Sequence, residues 1–127
     1  MDLAGVKTAL GSLTISGWDF KDSIPNAIYP PTVAVGRMRL DYNKAFGGLA
    51  FVEVTLHAFA SLADNEQGQS DLLALMETDG LKATVEADKT LGGTCQTLNV
   101  ESSEGPGLVD VNGQQYWSSS WTVRVYG

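Results

Sequence analysis

An α+β domain is the fold class this sequence predicts, with a mostly antiparallel sheet and two or three helices packed on one face. Three observations carry that expectation. Several segments alternate apolar and polar residues at the two-residue period of a half-buried strand. The clearest puts Val52, Val54, Leu56, Ala58 and Ala60 on one side and Glu53, Thr55 and His57 on the other. Apolar residues at helical spacing occur near the N-terminus and again between residues 70 and 90. The elements follow one another as α, β, β, β, α(α), β, β, without the strand–helix alternation that builds a parallel sheet.

The 127 residues suit a single domain, 1–127, and neither a repeat nor a composition break marks a second. At 43% apolar and 18% charged the chain can bury a core and is too apolar for a disordered segment. Fifteen acidic residues against eight basic ones leave a net charge of −7. That sign argues against a nucleic-acid-coating or polybasic membrane-binding protein, because both need clustered Lys and Arg. The single cysteine excludes an intramolecular disulfide framework and a cysteine-rich zinc site. The opening residues lack a positive region followed by a long apolar stretch, and the apolar run 47–54 is interrupted by Glu53. Synthesis in a reducing cytoplasm is the expectation.

In the first helix Leu3, Val6 and Leu10 share a face, Asp2 suits the positive end of the helix dipole, and Gly11 is the stop. Residues 13–18 alternate as a short strand would, and 22–31 is a connection because Pro25, Pro30 and Pro31 forbid a helix. Residues 33–40 resume an extended pattern. The turn-forming stretch 41–48 reads as a hairpin tip leading into a long strand, about 49–61.

Ser70 and Asp71 are start signals for a helix carrying Leu72, Leu75 and Met76. Asp79-Gly80 interrupts it, and Leu81 and Val85 follow, as a kinked continuation or a helix-turn-helix corner. Thr90-Leu91-Gly92-Gly93 ends the helical region. Residues 94–101 read as a strand, 102–115 as loop or hairpin material, and 116–126 as a final strand with Trp117, Trp121, Val123 and Val125 on one face.

Chemistry-bearing residues are sparse. His57 is the single histidine, and Glu53 on the same strand face lies about 13 Å away at ~3.3 Å per residue. Without an orienting partner nearby, His57 reads as a surface or interface residue. Cys95 lacks a protease-like context and reads as a small packed hydrophobe. Asp64, Glu66, Asp71, Glu77 and Asp79 lack the rhythm of a calcium loop and read as a solvated acidic face. Gly92-Gly93 and Gly105-Pro106-Gly107 lack the residues of a phosphate cradle and read as turns. Trp18 suits a core edge or a contact surface equally. Arg37 and Arg39 point to one face, as solvent-side charges guarding an edge or as a partner contact. No cofactor, metal site or catalytic residue is expected.

Asp71-Leu72-Leu73-Ala74-Leu75-Met76, followed by Val85-Glu86-Ala87-Asp88-Lys89-Thr90-Leu91-Gly92-Gly93 and a strand ending in residues 116–125, form a characteristic passage. Upstream lie Ile28-Tyr29-Pro30-Pro31 before a strand and a hairpin into residues 51–59. This layout resembles the tail terminator proteins of long-tailed bacteriophages. The likeness covers most of the chain in element order, with the acidic-Lys-Thr-Leu-Gly-Gly passage as its specific part. It implies a small α+β subunit forming a homohexameric ring at the head-proximal end of the tail tube. Such a ring ends tube polymerisation and offers a surface to the head-tail connector, while DNA passes through its lumen without specific binding. The resemblance carries over no ligand and no catalytic residue.

The expected contact residues are therefore interface residues: Arg37 and Arg39, the hairpin tip with Tyr42, Asn43, Lys44 and Phe46, and the loop 104–114 with Glu104, Asp110, Asn112 and Gln114. The expected partners are further copies of the chain, the tail tube protein and the connector, in the virion, with no membrane. The alternatives are another head-tail joining or minor tail protein, a small hydrolase using carboxylates or the Cys95/His57 pair, and a monomeric binding module with an apolar cleft near Trp18.

Overall fold

The computed structural model describes residues 2–40, 51–63 and 65–127. Its helices are α1 (Leu3–Leu10), α2 (Asn65–Met76) and α3 (Leu81–Glu86). Its strands are β1 (Asp19–Lys21), β2 (Thr32–Leu40), β3 (Phe51–Ala60), β4 (Thr97–Val111) and β5 (Gln114–Tyr126). The strands form one sheet in the order β1-β2-β3-β5-β4. β1 runs parallel to β2, and every other pairing is antiparallel. The α+β class and the mostly antiparallel sheet follow the sequence reading.

The core lies between the helices and one sheet face. The alternation of β3 sends Val52, Val54, Leu56, Ala58 and Ala60 to that side. Register with β5 sets Val125, Val123 and Trp121 opposite Val52, Val54 and Leu56. Val6 and Leu10 of α1, Leu72 and Leu75 of α2, and Leu81 and Val85 of α3 close over these residues in one buried cluster. Burying each such aliphatic side chain contributes about 1.5–3 kcal/mol, so this layer dominates the stability of the fold.

Local chemistry sets the helix ends. Asp2 caps α1 by accepting a 2.9 Å hydrogen bond from the Gly5 N–H. α2 starts at Asn65, ahead of the expected start at Ser70 and Asp71, and Gly68 is buried on the same face as Leu72 and Leu75. The chain turns between α2 and α3, which makes them separate helices. The Gly80 N–H bonds the Glu77 carbonyl, and a Cβ at position 80 would collide with the Leu75 carbonyl. After α3 the Asp88 carboxylate accepts from the Thr90 N–H, the Thr90 hydroxyl and the Gly92 N–H at 2.8–3.0 Å. Leu91, Gly92 and Gly93 then take φ of 47°, 69° and 92°, which carries the chain back to the sheet. The passage that carries the resemblance is thus a turn organised by one carboxylate.

Two sequence expectations are corrected and a third is narrowed. Residues 13–18 are not a strand: Ile15 and Trp18 close a tight turn through Gly17 at φ 85°, and the strand follows at Asp19–Lys21. Of the two readings of residues 102–115, the hairpin holds and the loop does not. β4 runs through Val111, and only Asn112 and Gly113, at φ 54° and 82°, form the hairpin turn. Two register irregularities, between Val100 and Ser102 and between Glu104 and Gly107, change the phase of β4 and hide its alternation. The strand expected to begin at 94 begins at Thr97. The hairpin tip 41–48, with Tyr42, Asn43, Lys44 and Phe46, and the first two residues of the expected strand 49–61 lie outside the described residues.

Candidate assembly surface

The helices cover one sheet face, and strand alternation assigns a different set of side chains to the other. There β3 presents Phe51, Glu53, Thr55, His57 and Phe59, and β5 presents Tyr126, Arg124, Thr122, Ser120 and Ser118 in register with them. β2 adds Arg37 and Arg39, and β4 adds Asn99, Ser102 and Glu104.

At one end this second face is apolar. Ile28, from the connection between β1 and β2, packs with Ala34, Phe59 and Tyr116 in a small buried cluster. The Tyr116 hydroxyl donates to the Ile28 carbonyl at 3.3 Å, and the Asn112 side chain donates to the Asn26 carbonyl at 2.8 Å. The β4–β5 hairpin therefore pins the proline-bearing connection, and Asn112 has a partner within the chain.

Charge gathers at the other end. Arg124 Nη2 lies 3.1 Å from Glu53 Oε1, and Arg39 Nη1 lies 3.7 Å from Glu53 Oε2. Arg124 Nε is 3.0 Å from Glu101 Oε1, yet it has no hydrogen bond: the ion pair is close in distance while the N–H points elsewhere. The Arg124 guanidinium also sits 4.9 Å above the Phe51 ring, which tilts against Tyr126 at 6.1 Å.

His57 occupies the middle of the face. Its ring stacks on Phe59 and lies against Gly36 in the irregular part of β2, where an added Cβ would come within 2.6 Å of the ring. Burial pushes its pKa down, so the imidazole is neutral near pH 7. Cys95 is buried on the helix side, and burial pushes its thiol pKa up. The Cys95/His57 pair of the hydrolase alternative is therefore split across the two faces of the sheet.

Arg37 and Arg39 are exposed and share the second face, whereas Met38 and Leu40 pack on the core. Arg37 makes no ion pair among the described residues. Glu104 is exposed within β4, Asp110 accepts from the Gly113 N–H at the turn, and Gln114 opens β5 exposed. Trp18 packs at the edge of the core. The groove it helps line combines apolar Ile15, Trp18, Ala74 and Leu75 with the acids Asp71, Glu77 and Asp79, so it is a mixed surface instead of the apolar cleft expected there. Asp64 lies outside the described residues.

Among the described residues no three His, Cys, Asp or Glu side chains gather closely enough to hold a metal ion. No helix among them is long and apolar enough to cross a membrane. No family model and no curated protein matches this chain.

Sequence reasoning missed the Glu53–Arg124–Glu101 cluster. Alternation within each strand places Glu53 and Arg124 on polar faces, but their pairing depends on a β3–β5 register between residues 71 positions apart.

Proposed function

We propose that this chain is a ring-forming structural subunit of a long-tailed phage, closing the head-proximal end of the tail tube as a tail terminator. The observation that carries the reading is the one-sided sheet. Its helices cover one face only, and much of the other face is an open field of charges, hydroxyls and aromatic rings suited to protein contact. The resemblance in element order and in the Asp88 to Gly93 passage points the same way. Its partners in this reading are further copies of itself, the tube protein and the connector. The net charge of −7 on each copy suits a channel that must let DNA slide without gripping it.

Tube polymerisation tests the reading. Purified protein added to its polymerising tube protein should stop elongation and shorten the tubes in proportion to the amount added. A length distribution that stays unchanged at saturating protein would overturn it.

A further inference from the structure

Charge is distributed unevenly across the sheet. β2 carries Arg37 and Arg39 and no acid, whereas β4 carries Glu101, Glu104 and Asp110 and no base. The strands between them hold Glu53 and Arg124, which pair with each other. Arg39 also reaches Glu53 and Glu101 reaches Arg124, so the charges on this face without an ion pair among the described residues are Arg37 on the β2 flank and Glu104 on the β4 flank.

Within one copy Arg37 and Glu104 cannot satisfy each other. β3 and β5 separate β2 from β4, and three strand spacings of ~4.8 Å place them about 14 Å apart. That exceeds the screening length of about 8 Å at physiological salt. Both flanks also end in strand edges. β1 pairs only with Thr32, Val33 and Ala34, so no described strand pairs with the outer side of β2 from Val35 onward. The outer side of β4 likewise has no strand partner among the described residues.

We infer that copies of this chain join side by side, the Arg37 flank of β2 in one meeting the Glu104 flank of β4 in the next. A two-fold contact through either flank would set like charges against each other, which disfavours it. Joining unlike flanks leaves a basic and an acidic flank free at the two ends, so the contact repeats and closes into a ring when the rotation allows. The inference rests on the ring reading above and assigns its subunit contact.

Sedimentation velocity of the full chain in low salt, from micromolar to about millimolar concentration, tests the contact. The wild type should self-associate, and Arg37→Glu or Glu104→Arg alone should weaken association about tenfold or more. Both exchanges in one chain should restore it to within about threefold. A monomeric wild type, unaffected single variants or a double variant that fails to recover would overturn the flank pairing. Tube-length arrest by the wild type is read separately. Arrest without charge-reversal effects rejects the flank pairing alone, whereas flank pairing without arrest rejects the terminator reading alone.

Discussion

Arg124 and Glu53 face each other across the β3–β5 ladder, Nη2 to Oε1 at 3.1 Å, at the charged end of a sheet face that the helices leave uncovered. Arg39 and Glu101 join the pair from either side, which leaves Arg37 and Glu104 as the charges on this face without an ion pair among the described residues. The four charged side chains come from four strands, so the network depends on the β2–β3, β3–β5 and β4–β5 registers together.

A double-mutant cycle on Glu53→Ala and Arg124→Ala measures that dependence. Both side chains are partly exposed, which limits their coupling to about 0.5–1 kcal/mol in urea denaturation. High salt should lower the coupling further. Coupling near zero at low salt would show that the network does not stabilise the sheet.

Glu86 gives the fold a pH dependence of known sign. Its carboxylate pairs with Lys82 and accepts from the Val100 N–H at 2.8 Å, tying α3 to β4. Lys82 first and the Val100 N–H second hold its pKa below the ordinary value near 4.5. A depressed carboxyl pKa stabilises the folded state above the unfolded value, and the contribution disappears as pH falls through the folded one. Glu86→Gln should therefore be less stable than the wild type at pH 7, with the gap closing below about pH 4.5. Denaturant titrations between pH 7 and 3 check this, and a pH-independent gap would contradict it.

His57 gives a pH dependence of the same sign, through burial of a neutral ring instead of pairing of a charge. Burial lowers its pKa from 6.5, so the unfolded chain takes up a proton before the folded one does. Stability from this group is complete above about pH 6.5 and declines as pH falls below it. His57→Gln should remove that part of the pH profile. Gly36→Ala, whose methyl would press on the ring, should cost about 1–3 kcal/mol and cost less when His57→Ala is also present. An unchanged cost in the double variant would show that the ring is not the obstacle.

Neighbouring leucines on α2 separate core from surface. Leu72 is fully buried and Leu73 is 51% exposed. Leu72→Ala should cost about 2–5 kcal/mol, and Leu73→Ala within about 0.5 kcal/mol of nothing, by urea denaturation. Equal costs would contradict the orientation of α2 over the sheet.

Segments with a simple period were legible in the sequence. β3 and β5 alternate because one face is buried along their length, and Val6 with Leu10 marks α1 because one helical stripe is. β4 was hidden because two irregularities shift its phase and because it is an edge strand with little to bury beyond Val100. The N-terminal part of α2 was hidden because Gly68 is buried there without an apolar signature. The candidate surface was half legible. Arg37 and Arg39 read correctly as sharing a face, whereas the Glu53–Arg124 pair and the opposed flanks depend on strand order, which local spacing does not encode.

Electron microscopy of tail tubes incubated with the protein tests the central claim most directly. Averaged tube ends should show a six-fold ring of added density at one end, absent when the protein is omitted. Tubes whose two ends stay identical and bare at saturating protein would contradict the account.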